Sequence, residues 1–161
     1  MAKPSEDRFF LLLLVAVLGR LLLLPLPSIK PILPIIVFTA LSLGLDQGLL
    51  MAFLGFFLSN LVIDAISGYG FGSWTIYQVL GGALAAYTAT LVAGRRPVTS
   101  MDLVNATLPG TLVFELTINF GSAGGLDIEY FLGSLPFALA HLAGNLVFAV
   151  LLSGFLPKTS H

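Results

Sequence analysis

Apolar runs recur along the whole 161-residue chain, and they leave a water-soluble fold without a surface to present. Hydrophobic residues make up 57% of the sequence and charged residues 9%, with a mean hydropathy of +1.01. No soluble fold of this length hides that much apolar area, so the expected class is an all-α integral membrane protein. Nucleic acid is excluded as a partner because no basic patch could neutralise phosphates. The absence of cysteine removes disulfides and thiolate metal sites. Lys3 and Arg8 precede the apolar run Phe9 to Leu18 in the manner of a signal peptide. No small-x-small cleavage site follows, and the run continues through Gly19-Arg20 into Leu21 to Leu24, so a retained spanning helix is expected.

Crossing ~30 Å of hydrocarbon takes about 20 residues, and the chain reads as a compact bundle of six transmembrane helices, some of them short, in one domain over 1–161. The first runs from about Phe9 to Leu24 and stops at Pro25 and Pro27. The second begins at Pro31, a favoured first helical position, and reaches Leu45. A tight Asp46-Gln47-Gly48 turn leads to a third over Leu49 to Asp64. The fourth covers Trp74 to Ala93 and ends at Gly94-Arg95-Arg96-Pro97. Asp102 opens the fifth, to about Phe120, and the acidic, glycine-rich stretch Gly121 to Glu129 precedes a sixth over Tyr130 to Leu156. With both termini cytoplasmic, Lys3, Arg8, Arg95, Arg96 and Lys158 lie inside and only Arg20 and Lys30 lie towards the outside, which the positive-inside rule favours. Ser59-Asn60-Leu61-Val62 and Gly144-Asn145-Leu146-Val147 leave room for an inverted repeat of three helices plus three.

The polar residues that remain among these runs are the candidates for function, because an embedded polar group needs a partner or a cavity. Asn60, on the third helix, precedes the stretch Gly68 to Gln78, which combines a glycine-rich turn with Tyr69, Phe71, Trp74 and the amide of Gln78. Its bland reading is a turn with interfacial aromatics; its functional reading is the lid and upper wall of a binding cavity, with Asn60 tying helices beneath. Gln78 lies one turn beyond Trp74, so both can face one cavity, with Trp74 as a flat wall for a ring. Glu115 and Asn119 share a face of the fifth helix, and His141 and Asn145 repeat the spacing on the sixth. Counted from the outer loop, His141 lies deeper than Glu115, so contact between them needs an offset or a third group. Arg20 can snorkel, cap the end of helix one or pair with Asp64. Lys30 is an interface anchor or a cation aimed at an anionic ligand. Gly81-Gly82 with Ala85 and Ala86 supplies a small-residue packing face. The candidate binding set is therefore Lys30, Asn60, Tyr69, Trp74, Gln78, Glu115, Asn119 and His141. No metal, catalytic residue or cofactor is expected: two histidines offer no ligand set, and without a G-x-x-x-x-G-K motif any ATP-driven step needs another chain.

Gly19-Arg20, Pro27-Ser28-Ile29-Lys30-Pro31, Ser59-Asn60 and Gly70-Phe71-Gly72-Ser73-Trp74-Thr75-Ile76-Tyr77-Gln78 together resemble the substrate-binding S components of energy-coupling factor (ECF) transporters. One uncharacterised branch runs close to G-R, P-N-x-K-P, S-N and G-x-G-P-W-T-P-x-Q. Ser28 stands where that pattern has Asn, and Ser73 and Ile76 where it has Pro. The resemblance implies a six-helix prokaryotic cell-membrane protein that binds a vitamin or related micronutrient from outside. It further implies association with a membrane coupling protein and two ATPase subunits, with the bilayer as surroundings. S components often carry an alanine-x-x-x-alanine docking face on helix one; here its small residues are Ala16 and Gly19. A different class is suggested by Ala140-His141-Leu142-Ala143-Gly144 and Ala65-Ile66-Ser67-Gly68, which approach the signatures of rhomboid intramembrane proteases and would require a dyad of Ser67 and His141. A non-catalytic structural membrane subunit is the third reading.

Overall fold

A computed structural model of the chain describes residues 4–94 and 98–156. Among them the chain forms six α-helices and no strand: α1 Pro4–Leu22, α2 Ile32–Leu43, α3 Leu45–Ser67, α4 Trp74–Ala93, α5 Ser100–Ala123 and α6 Ile128–Ser153. Three of these, α3, α4 and α6, are long and apolar enough to cross a membrane. The distribution of side chains is that of a membrane-embedded protein. Ser59, Asn60, Thr107, Thr111 and Asn145 are buried, while Phe10, Leu14, Leu61, Leu91, Leu116, Leu139 and Val147 are exposed. In water that arrangement would waste apolar surface and bury polar groups; in lipid it is the economical one. Several buried hydroxyls donate within their own helices, as Thr39 does to Ile35 O, Thr107 to Leu103 O and Thr111 to Thr107 O.

The short helix α2 sits at the centre, packed against every other helix. Nine consecutive residues, Ile32 to Ala40, are buried, so it is apolar all round and has no lipid-facing stripe. Twelve residues rise only about 18 Å, well short of the hydrocarbon thickness. The other helices wrap it, α4 and α5 forming the most extensive pair.

Helix boundaries depart from the sequence reading at α3. Asp46, Gln47 and Gly48 lie in its first turn and do not form the connection. Gly44 alone makes that joint, at φ 107° and ψ 160°, a conformation closed to residues with a Cβ. At Gly48 a Cβ would fall 2.5 Å from that of Ala40, so the two helices can meet directly. The N-terminus of α5 is fixed by a capping box in which Thr99 and Asp102 exchange side-chain and backbone hydrogen bonds. Asp127 caps α6 by accepting from Tyr130 N. Gly81, Gly82, Ala85 and Ala86 are buried, and α4 approaches Phe114 of α5 and Phe56 of α3 across them.

The α3–α4 and α5–α6 connections lie at one end of the bundle, together with the α1–α2 connection. There Tyr77 packs over Gly121 and Arg20 reaches α3. At the opposite end Arg8 donates to Phe155 O and Ser100 to Ser153 O. Lys3, Arg95, Arg96 and Lys158, on which the orientation argument rests, lie outside the described residues.

Candidate functional site

The buried residues of α6 are Gly144, Asn145 and Ala149, all in its second half. Its first half stands clear of the bundle, with Ile128, Leu132 and Phe137 exposed. Between this overhang and the other helices lies a cavity of about 350 Å³, to which all six helices contribute. Its size is within the range that small-molecule sites occupy.

One wall is built from the junction of α1, α3 and α4. Arg20, near the end of α1, donates through Nη1 to Ser59 Oγ and, at 2.6 Å, to Asn60 Oδ1. Asn60 passes the connection on: its Nδ2 donates to Thr75 Oγ1 at 2.9 Å and to Gln78 Oε1 at 2.8 Å. Asn60 thus ties three helices, and Gln78 is held with its Nε2 free among the described residues. Asp64 is not the partner of Arg20. It accepts from Gly70 N and Phe71 N, pinning the loop at the end of α3. That loop can lie so close only because residue 70 is glycine, since a Cβ there would be 2.0 Å from Asn60 O and 2.1 Å from Asp64 N.

Beside Arg20 the connection 23–31 brings in Ser28 and Lys30. Ser28 adopts φ 62°, the left-handed region that asparagine tolerates better than serine. Lys30 Nζ donates to Leu23 O and Leu26 O, so the lysine ties down the turn that follows α1. Burial, and after it the positive charge of Arg20, push the Lys30 ammonium below the usual lysine range.

The floor is aromatic. The Arg20 guanidinium lies 5.3 Å over the Phe56 ring. Phe56 stacks on Phe114 at 5.5 Å, and Phe114 meets the His141 ring edge-on at 5.4 Å. His141 Nδ1 is in direct contact with Glu115 Oε1. Counted from the outer loop, His141 lies deeper than Glu115 and needs an offset or a third group to reach it; the structure supplies the offset. From Glu115 to the end of α5 is eight residues and from the start of α6 to His141 thirteen; the overhang of α6 absorbs the difference. His141 Nε2 and the Asn119 amide have no hydrogen-bond partner among the described residues, and both residues line the cavity. One turn further in, Asn145 donates to Thr111 Oγ1 at 3.1 Å, and its Oδ1 is buried without a partner among the described residues.

Of the eight sequence candidates, Lys30, Gln78, Glu115, Asn119 and His141 line this cavity, and Asn60 supports it from behind. Tyr69 and Trp74 do not belong to it. Tyr69 is 82% exposed in the loop. Trp74 is 40% exposed, and its ring folds back over Gly72, where a Cβ would lie 2.1 Å from it. As the first residue of α4, Trp74 sits on the rim, and it is Thr75, three residues before Gln78, that turns inward. Sequence reasoning left Arg20, Ser28, Tyr130 and Ser134 out of the site, although all four line it. Arg20 and Ser28 carried a signal in the motifs where they stand; Tyr130 and Ser134 carried none. Ser67 does not meet His141. It is the last residue of α3, where its hydroxyl donates to Ile63 O and accepts from Tyr69 N, so the dyad of the protease reading is not assembled. Among the described residues no three His, Asp or Glu gather as a metal site. No family model matches the chain, and neither a curated protein nor a solved structure matches it.

Proposed function

We propose that the chain is the substrate-binding membrane subunit of an ATP-driven importer of the ECF type, capturing a vitamin or related micronutrient from outside a prokaryotic cell. The observation that carries this reading is the cavity under α6. There apolar and aromatic walls hold a few convergent polar groups, among which Gln78 Nε2, the Asn119 amide and His141 Nε2 have no hydrogen-bond partner among the described residues. The residues on which the resemblance rests support it as well. Arg20, Lys30, Ser59, Asn60, Thr75 and Gln78 are spread along the chain from α1 to α4, yet all fall on the cavity or on the junction behind it.

In this reading all six helices lie in the membrane, both termini are cytoplasmic and the cavity opens outward. Energy comes from two ATPases through a membrane coupling protein. Docking on α1 cannot use its small residues, because Ala16 is buried and a Cβ at Gly19 would lie 2.5 Å from Pro31. The available face is the large apolar one of Phe10, Leu11, Leu14 and Leu18. Thermal unfolding of the purified chain against a panel of vitamins and cofactors tests the binding claim. One compound is expected to raise the melting temperature, with at least tenfold loss of affinity in Glu115→Gln. Stabilisation by none would favour a structural subunit.

A further inference from the structure

The cavity carries an unbalanced charge. Arg20 and Lys30 enter it from one side, and among the described residues Glu115 is the one carboxylate on its lining. Glu115 is already engaged by His141 on the far wall. Asp64, the nearest other acid on α3, is turned to the loop amides. Arg20 and Lys30 against the one acid leave a formal excess of one positive charge among these three side chains, in surroundings made of phenylalanine and isoleucine. Neither cation is saturated. Arg20 spends Nη1 on Ser59 and Asn60, which leaves Nε and Nη2 without partners among the described residues. Lys30 spends two of its three donors on main-chain carbonyls. The two cations are near enough for Arg20 to depress the protonation of Lys30. Like charges held together in a partly dry site repel, and an anion between them relieves that cost.

We infer that the cavity takes a small monocarboxylate, its carboxylate seated between Arg20 and Lys30 with Gln78 alongside, and its other end held by Asn119 and His141. A single negative charge neutralises the cavity, whereas a phosphate monoester brings close to two. Arginine offers a fork that matches a carboxylate. The Asn119 amide and His141 Nε2, without hydrogen-bond partners among the described residues, sit across the aromatic floor, placed for a polar ring or head group, while Gln78 adjoins Arg20 through Asn60. This assignment rests on the binding reading above and narrows it to a class of ligand.

The test is thermal unfolding of the full chain in detergent with matched acid and amide probes, benzoate against benzamide and nicotinate against nicotinamide, beside inorganic phosphate. The acids are expected to raise the melting temperature and the isosteric amides not to, with phosphate weaker than the acids. Lys30→Met, which removes the charge while keeping the stem, is expected to weaken the acids at least tenfold. The comparison of acid with amide on the unaltered chain needs no variant, so a poorly folding Lys30→Met leaves it standing. Amides as effective as acids, phosphate more effective than both, or acid binding unchanged in Lys30→Met would overturn the inference. Binding of a neutral or cationic vitamin without any response to acids would overturn the inference and keep the binding reading. No response to any compound of any charge would count against both.

Discussion

At Asn60 one amide closes a junction of three helices. Its oxygen accepts from Arg20 and its nitrogen donates to Thr75 and Gln78. Replacing it with alanine would remove the hydrogen bonds it makes with Arg20, Thr75 and Gln78 at once, an effect of about 3 kcal/mol. Asn60→Ala is therefore expected to lower the melting temperature by several degrees, whereas Tyr69→Ala, at an exposed loop position, is expected to leave it unchanged. Equal effects of the two would contradict the junction. Residues of this kind are legible in the sequence, because an amide or carboxylate amid apolar runs stands out, as do Gln78, Glu115 and Asn119, which line the cavity. Their partners are harder to read. Asp64 was a plausible partner for Arg20 by depth alone, but it is claimed by the amides of Gly70 and Phe71, which only the fold brings back over α3. Aromatic content misled at Trp74 and Tyr69, since a ring beside a glycine turn can lie on the rim as readily as in a cavity.

At the scale of the helices, proline, glycine and charge marked where most elements stop, and apolar length alone could not say which face each buries. The central place of α2 is one consequence. Its composition suits a spanning helix, but burial on every side makes it the post around which the others stand. The joint that follows is a single residue, Gly44 at φ 107°. Gly44→Ala is expected to cost about 1–2 kcal/mol through backbone strain, although nothing lies within 4 Å of the added Cβ. Gly133→Ala, mid-helix in α6 with equally open space, is expected to be neutral or slightly stabilising. Thermal unfolding of the two variants separates strain from packing, and a loss at Gly133 as large as at Gly44 would refute the strain account. The overhang of α6 was the element-level feature least visible in sequence. Nothing in Ile128 to His141 says how far that segment leans from α5, yet that lean opens the cavity and brings His141 to Glu115.

Over the whole molecule, composition was enough for an all-helical, membrane-embedded chain, because polar groups turned inward and leucine turned outward have no stable counterpart in water. The proposed orientation, with the cavity end outside, rests on the placement of basic residues, and it is open to direct chemical test because the chain contains no cysteine. A cysteine introduced at Tyr69, beside the cavity, is expected to react with a membrane-impermeant maleimide on intact cells. One at Ser100, at the opposite end, is expected to react only after the membrane is opened. The reverse pattern would place the cavity inside and remove the uptake reading.

The central claim is that the cavity under α6 holds a small molecule. Native mass spectrometry of the intact chain, released from detergent as isolated from its membrane, addresses that claim most directly. The expected result is one additional small mass of fixed value on the unaltered chain, absent when Lys30→Met and Glu115→Gln are combined. A bare chain, or an added mass that survives both substitutions, would contradict it.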